Sequence, residues 1–269
     1  MKKKVLLAFM TVFIISLLGC QSTDTTATSI DIKPLVSTGA KNLVDAIETE
    51  YQEEYDSRNG SSSVSYSSED YGVPKPVKTI SSDDGSNLII VNKLHAVTPD
   101  FVPTDLVAVD GSLSTNQGLY FKRDAYDAYL KMLKDANAQG INFLICSTYR
   151  SYSLQESIYF SHVNAYGAEY TNTVSAFPGR SEHHTGWAVD VTSPSMGYDL
   201  LESFINYPEG QWINAHCHEY GFIIRYPKDK THITGYAYEP WHLRYVGVDV
   251  ATEIMSKGLT LEEYLGVQY

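Results

Sequence analysis

The clearest hydrophobic pattern in the chain is a period-two alternation over residues 187–192. Large apolar residues occupy positions 187, 189 and 191, so the side chain of Asp190 points to the opposite face of the predicted strand. Gly186 precedes the alternation and gives the backbone the freedom that a tight turn needs. We therefore expect a turn that leads into a strand, with His183 in the turn just before the strand begins.

The rest of the pattern predicts a mixture of helices and strands. Residues 121–139 have helical spacing, because Ala125, Tyr129 and Leu133 recur on one side and Gly140 follows as a stop. The other predicted elements are strands over residues 88–91, 141–147 and 222–227, helices over 211–220 and 250–257, and a helical turn over 261–265. About 180 residues are ample for one core and hardly enough for two, so we expect a single catalytic domain over residues 87–269.

A second candidate segment is the run Glu-Pro-Trp-His that begins at Glu239. A proline directly after Glu239 is a common way to open a helical turn. In such a turn Glu239 and His242, three positions apart, lie on one face. The two segments together offer His183, Asp190 and His242 as ligands, with Glu239 as a spare carboxylate.

Two imidazoles, a carboxylate ligand and a second carboxylate are the parts of a catalytic zinc site. Three protein ligands leave the fourth position for water, and a nearby glutamate is able to take a proton from that water. Taken singly, each residue has an ordinary alternative role. A lone histidine is usually a polar residue without a metal, and an aspartate at a strand end is usually a cap or a turn former. The spacing favours a metal site without excluding these roles.

The same residues carry a resemblance to a known family. The pattern Ser-x-His-x-x-Gly-x-Ala-x-Asp from Ser181, followed by Glu-Pro-Trp-His-x-Arg-Tyr-Val-Gly from Glu239, resembles the VanY-like zinc D-Ala-D-Ala carboxypeptidases of bacterial cell walls. The resemblance covers roughly residues 88 to 269. It implies an α+β fold, a single domain with a central, mainly antiparallel sheet flanked by helices (Hedgehog/DD-peptidase-like). It also implies Zn²⁺ as cofactor, bound by His183, Asp190 and His242, with Glu239 as the catalytic base.

The resemblance also implies residues that hold the substrate. Arg150 and Gln155 match family positions that bind substrate, and Ser181 matches a position that hydrogen-bonds it. A guanidinium is suited to clamp a terminal carboxylate or to stabilise an oxyanion, so Arg150 has a predicted catalytic role as well. The alternative for Arg150 is an exposed residue that forms a salt bridge.

The function implied by the resemblance is release of C-terminal D-alanine from peptidoglycan stem peptides. The shared motifs do not distinguish enzymes that cut a D-Ala-D-Ala end from L,D-carboxypeptidases that trim tetrapeptides, although the N-terminal segment is slightly closer to the latter. Two rival functions stay open, a zinc endopeptidase that cuts cross-bridges and a non-catalytic lipoprotein that binds the cell wall. The presence of Glu239 argues against the second rival, because a protein that only binds does not need the base.

The N-terminal segment predicts export. Residues 1–19 combine three lysines with a short apolar run, which is typical of a signal peptide, and the run ends at a lipobox-like Leu-Leu-Gly-Cys. Cleavage before Cys20 and acylation of its thiol would anchor the chain to the bacterial cell membrane on its extracytoplasmic side. A plain secretory signal or an uncleaved anchor is the alternative. Residues 20–86 are polar and acidic overall, so we expect a largely disordered, lipidated linker.

Charge and cysteine content narrow the remaining possibilities. The formal net charge of -12 argues against nucleic acid as a partner, and we expect a monomer.

Two cysteines remain after Cys20, and each lies inside an apolar element. Cys146 and Cys217 are either a disulfide or two buried thiols, and neither belongs to a nucleophile motif.

Overall fold

The computed structural model describes residues 67–267 and residue 269. The predicted signal peptide, Cys20 and the linker up to residue 66 lie outside the described residues. Among the residues described, no helix has the length and apolar character needed to cross a bilayer. Cys146 and Cys217 are both free thiols, which decides between the two alternatives for this pair.

Strands and helices are mixed along the described chain. The strands are β1 (Lys78–Ile80), β2 (His95–Val97), β3 (Leu106–Ala108), β4 (Tyr120–Lys122), β5 (Leu144–Ser147), β6 (Ala188–Thr192), β7 (Phe222–Ile224) and β8 (His242–Tyr245). The α-helices are α1 (Arg123–Asn137), α2 (Tyr152–Tyr166), α3 (Ala168–Val174), α4 (Pro208–His216), α5 (Thr231–Thr234), α6 (Val248–Lys257) and α7 (Leu261–Leu265). Short 3-10 helices connect several of them, and one of these, Glu182–Thr185, precedes β6.

A four-stranded sheet lies at the centre, in the order β5-β6-β8-β7, and every neighbouring pair is antiparallel. The other strands form two separate pairs, β1 with β2 and β3 with β4. The predicted α+β domain with a mainly antiparallel sheet is therefore confirmed. The alternation over β6 is confirmed too, because Val189 and Val191 join one core cluster with Trp187, which directly precedes the strand. Helix α1 places Tyr129 and Leu133 in that cluster, as its spacing predicts.

One local prediction is wrong, and a second is met only in part. Residues 89–91 are buried and Leu88 is half-buried, but the segment forms no strand. The carbonyls of Asn87 and Ile89 accept hydrogen bonds from the Arg244 guanidinium (2.9 and 2.6 Å) instead of pairing with a neighbouring strand. The turn predicted at Glu239 forms, but it is one hydrogen-bonded turn and not the start of a helix. The peptide N–H of His242 donates to the carbonyl of Glu239 (3.1 Å) in a single turn, and the chain then enters β8.

The linker prediction is also wrong for residues 67–86. Strand β1 pairs in parallel with β2, and Val73 is buried in a cluster with Tyr159, Phe160 and Phe177. The Nδ2 atom of Asn172 donates to the carbonyl of Tyr71 (2.7 Å). Composition misleads here because a few apolar residues and backbone hydrogen bonds are enough to hold a polar segment against the domain.

Four buried charged side chains form an ion cluster, called the buried ion cluster and defined as Glu182, Arg225, Arg244 and Glu262. The Oε1 atom of Glu182 accepts from Nε of Arg225 and from Nη1 of Arg244, both at 2.7 Å. Arg225 also makes two hydrogen bonds to Glu262 of α7, at 2.9 and 2.6 Å. Although burial opposes ionisation of Glu262, the Arg225 guanidinium and the hydrogen bonds to it lower the pKa of that carboxyl. The cluster joins the C-terminal helix to the strands that carry the candidate site.

Breaking this cluster should destabilise the fold. We expect Arg225→Ala to lower the free energy of unfolding by about 3–5 kcal/mol, because it leaves two carboxylates buried without their main partner. Arg123→Ala is the matched control, since the pair of Arg123 with Asp105 is about half exposed and removing it should cost no more than about 1 kcal/mol. Urea denaturation of both variants at neutral pH measures the difference, and equal losses would contradict the prediction.

Candidate metal and catalytic site

The first part of the site is built by the turn before β6. The hydroxyl of Ser181 accepts the peptide N–H of His183 (3.3 Å) and so caps the 3-10 helix Glu182–Thr185. Gly186 ends that helix with φ 69°, in the left-handed region. A Cβ at this position would lie 3.0 Å from a methyl carbon of Leu106. Conformation and close approach therefore both favour glycine here, and the turn places His183 beside the strand that it precedes.

The second part of the site comes from the pairing of β6 with β8. The register places Asp190 directly opposite His242. The turn from Glu239 to His242 then brings the Glu239 carboxylate to the same end of the sheet. Residues more than fifty positions apart in the chain thus meet through a single strand pair.

The three predicted ligands converge. One ligand atom from each of His183, Asp190 and His242 lies within 4.8 Å of the others, and all three residues are buried. The Asp190 carboxylate lies between the rings, 3.1 Å from Nε2 of His183 and 2.9 Å from Nδ1 of His242. The ring planes of the two histidines are nearly perpendicular, with centroids 5.0 Å apart. Two imidazole nitrogens and a carboxylate oxygen in this arrangement form a possible metal site.

The orientation of His183 leaves one nitrogen available as a ligand. Its Nδ1 atom lies 2.5 Å from the carbonyl oxygen of Thr148, which only accepts, so Nδ1 carries the proton. The other ring nitrogen, Nε2, is buried and has no hydrogen-bond partner. Burial and the nearby Arg150 lower the pKa of His183 to about 4, so the ring is neutral at physiological pH. A buried, neutral nitrogen that makes no hydrogen bond and lies beside the Asp190 carboxylate fits a metal cation.

The charges of the other two ligands depend on each other. Burial alone would raise the pKa of Asp190, but the two imidazoles lower it well below its usual value. Burial opposes protonation of His242, yet the nearby carboxylates of Asp190 and Glu182 raise its pKa to about 9. A cation that binds to Nδ1 of His242 must therefore displace a proton, so metal binding weakens as the pH falls.

Glu239 stands beside the ligand set without joining it. Its Oε2 atom lies 3.8 Å from Nδ1 of His242, and the residue lines the cleft. Burial raises the pKa of Glu239 to about 8. The Asp190 carboxylate adds to this effect, while His242 and Arg150 oppose it. A carboxyl group whose pKa lies near the working pH is suited to accept and return a proton.

The ligands and Glu239 open into a cleft of about 430 Å³. Arg150 and Ser181 line it as predicted, and an Nη atom of Arg150 lies 3.5 Å from the Ser181 hydroxyl. The Nε atom of Arg150 is buried and has no hydrogen-bond partner. The alternative of an exposed, salt-bridging arginine is wrong for Arg150, and part of its guanidinium is left for an anionic group. The other walls carry Ile158, Tyr170, Leu201, Glu202, Tyr236, Tyr238 and Trp241.

Gln155 is placed differently from the other predicted site residues. It is buried behind the cleft wall, and its side-chain amide donates to the carbonyl of Ala176 (2.7 Å), a residue that does line the cleft. A direct contact of Gln155 with substrate stays a prediction. In this structure its side chain fixes the position of the wall.

The sequence analysis assigned no function to two residues that are buried near the metal site, His184 and Glu182. His184 accepts the peptide N–H of Gly179 at Nε2 (3.1 Å), and its Nδ1 atom lies 2.8 Å from the carbonyl of Arg150, so its neutral ring joins two loops. Glu182 belongs to the buried ion cluster, and its Oε2 atom lies 3.6 Å from Nε2 of His242. The motif includes both positions, but nothing in a local pattern tells a buried charge from an exposed one.

Comparison with known proteins places this site in a family. The VanY family, described as D-alanyl-D-alanine carboxypeptidase, matches residues 118–248, which include the three ligands and Glu239. The putative carboxypeptidase YodJ of Bacillus subtilis (strain 168) is 42% identical over 180 residues, which are 66% of each chain. The chain spans 66%, 61% and 54% of the lengths of three curated relatives that it matches.

Solved structures agree with the sequence comparison. The LdcB LD-carboxypeptidase is similar with a TM-score of 0.63 at 41% identity, over 68% of this chain and 87% of that one. A variant of the D,D-pentapeptidase VanY from a VanB-type resistance cassette, in complex with Zn(II), is similar with a TM-score of 0.58 at 31% identity, over 66% of this chain and 98% of that one. The fold, the spacing of the ligands and these likenesses together show that the chain belongs to the VanY family of D-alanyl-D-alanine carboxypeptidases.

Proposed function

We propose that the protein is a zinc-dependent carboxypeptidase that releases the C-terminal D-alanine of peptidoglycan stem peptides. The observation that carries the proposal is the meeting of His183, Asp190 and His242 at the floor of a cleft, with Glu239 beside them and outside the ligand set. The zinc in the VanY structure supports the choice of metal. Two imidazole nitrogens and a carboxylate are also a common catalytic zinc set.

Zinc held by these three residues would supply Lewis-acid chemistry, which makes water more acidic and polarises a peptide carbonyl. The chain's own residues move the proton. Glu239 accepts it from the attacking water and returns it to the amine of the departing D-alanine, so one carboxyl serves as base and then as acid. The buried position of Glu239 favours this role, because burial brings its pKa close to neutrality.

Arg150 and Ser181 hold the substrate in the proposed reaction. The unpartnered part of the Arg150 guanidinium is able to bind the terminal carboxylate of the stem peptide or the developing oxyanion. The Ser181 hydroxyl accepts the peptide N–H of His183, which leaves its own O–H to donate to the bound stem peptide. A substrate held by its terminal carboxylate has one scissile bond within reach of Glu239, which explains release of a single residue.

For the bond that is cut, we propose an L,D-carboxypeptidase that trims tetrapeptides. The identity of 41% to the LdcB LD-carboxypeptidase, against 31% to the D,D-pentapeptidase VanY, supports this choice.

We further propose that the enzyme acts as a monomer outside the cytoplasm, held to the membrane by lipid on Cys20. The lipobox-like segment before Cys20 supports the anchor.

The test is incubation of the zinc-loaded protein with purified muropeptides that end in tetrapeptide or pentapeptide stems, followed by mass spectrometry. The expected result is loss of one alanine from tetrapeptide stems. Loss of alanine from pentapeptide stems alone would shift the assignment to a D,D-carboxypeptidase. Cleavage of cross-linked dimers into monomers would indicate an endopeptidase. Binding without any cleavage would favour the non-catalytic wall-binding lipoprotein.

A further inference from the structure

Two buried polar atoms near the site face each other without a satisfied partner. The Nε2 atom of His242 and the Oε2 atom of Glu182 are both buried, and neither makes a hydrogen bond. They lie 3.6 Å apart. Leaving a donor and an acceptor unpaired inside a protein is costly, so a small movement that closes this gap is favourable. The pairing concerns the ring nitrogen of His242 that points away from Asp190.

The arginines of the buried ion cluster determine which oxygen of Glu182 remains available. Oε1 of Glu182 accepts from both Arg225 and Arg244, at 2.7 Å each. The other nitrogens of Arg225 bind Glu262, and those of Arg244 bind backbone carbonyls. With both guanidinium groups occupied, Oε2 is left for the His242 ring. Two guanidinium donors on Oε1 stabilise the ionised carboxylate, so Oε2 acts only as an acceptor.

We infer that Glu182 is a positioning residue, whose carboxylate accepts the Nε2 proton of His242 and so leaves Nδ1 as the metal-binding nitrogen. The inference rests on the proposed zinc function. A neutral imidazole carries one ring proton, and a fixed acceptor at Nε2 determines where it resides. With the cation bound, Nδ1 would present its lone pair to the metal beside the Asp190 carboxylate, which lies 2.9 Å away and accepts the Nδ1 proton when no metal is bound. In His183 the carbonyl of Thr148 accepts the proton at Nδ1, which leaves Nε2 for the metal. The two histidines would therefore bind the metal through different ring nitrogens.

The ion cluster explains how Glu182 holds its place. An isolated buried carboxylate would be free to rotate, whereas two guanidinium donors from β8 and from the residue after β7 fix its orientation. Arg225 is in turn held by Glu262 of α7. Because Arg244 binds the same oxygen of Glu182 without help from α7, the contact of Arg225 with Glu262 contributes mainly to the stability of the fold.

Glu182→Gln is the direct test, because glutamine has nearly the same shape. Its amide oxygen would accept from the two arginines, which leaves the amide NH₂ facing Nε2 of His242. Nε2 must then accept, so the ring proton moves to Nδ1, where it blocks the metal. We expect the zinc dissociation constant, measured by competition with a chromophoric chelator, to rise by about 10- to 100-fold.

Glu262→Gln is the matched control. It disturbs the same ion cluster on the far side of Arg225, where Glu262 binds Arg225 and Asn92 rather than His242. Both variants should unfold at a lower temperature than the wild type, but only Glu182→Gln should lose zinc affinity. Equal zinc affinity in all three proteins would overturn the inference and leave the proposed function standing. A wild-type protein that binds no zinc would overturn both.

A second measurement needs no variant and therefore covers the case in which Glu182→Gln fails to fold. In zinc-loaded wild-type protein with ¹⁵N-labelled histidine, long-range ¹H–¹⁵N spectra report which ring nitrogen carries the proton. The expected pattern for His242 is a protonated Nε2 and a coordinated Nδ1, with the reverse pattern for His183. A coordinated Nε2 in His242 would overturn the inference.

Discussion

Glu239→Gln should lower kcat by about 10²- to 10⁴-fold while zinc stays bound. Glutamine keeps the size of the side chain but cannot accept a proton from water or return one to the leaving amine. The metal should be retained, because Glu239 lies outside the ligand set, with its carboxylate 3.8 Å from Nδ1 of His242. Steady-state cleavage of a tetrapeptide stem and the zinc content after dialysis together measure the two effects.

Glu202→Gln serves as the control for this prediction. Glu202 lines the same cleft but is exposed and lies apart from the ligand set, so its loss should leave kcat close to the wild-type value. If Glu239→Gln kept near-normal activity, Glu239 would not be the group that transfers the proton. The proposed mechanism would then need another base in the cleft.

His183→Ala should abolish both zinc binding and activity. The substitution removes one of three ligands and also the ring that is fixed by the carbonyl of Thr148. With one nitrogen and one carboxylate left, the site falls below the three protein ligands of a catalytic zinc centre. Zinc per protein after dialysis should drop to background, and alanine release should become undetectable.

His184→Ala is the neighbouring control for His183→Ala. His184 is equally buried, but its ring binds the backbone of Gly179 and Arg150, and it takes no part in the ligand set. This variant should lose stability and keep zinc. A His183→Ala protein that still bound one zinc with wild-type affinity would mean that the metal lies elsewhere.

Removal of zinc from the wild-type enzyme with a chelator should abolish alanine release, and added zinc should restore it.

Much of the fold followed from local pattern. Alternation over residues 187–192 predicted β6 and the face on which Asp190 lies, and helical spacing predicted the buried side of α1. Both succeed because a period of two or of 3.6 residues is a property of the backbone itself. The segment 88–91 misled for the same reason. An apolar run indicates burial, but only neighbouring partners decide whether a buried segment becomes a strand.

The candidate site divides in a similar way. The spacing within each motif proposed His183, Asp190, His242 and Glu239, and the structure brings all four together. The role of Glu182 could not be predicted, because glutamate side chains are usually exposed and the motif gives no sign that this one is buried. Its burial depends on two arginines that lie far along the chain.

The amino-acid sequence by itself determined which donor groups are available and on which faces of their elements they lie. Only the tertiary structure decided that Asp190 pairs with His242 across two strands, that Thr148 holds one imidazole, and which oxygen of Glu182 remains free for the other. The physical reason is the range of the interactions. Periodicity is local, whereas a metal site requires atoms from distant residues to meet within a few ångströms, which strand register and buried packing alone enforce.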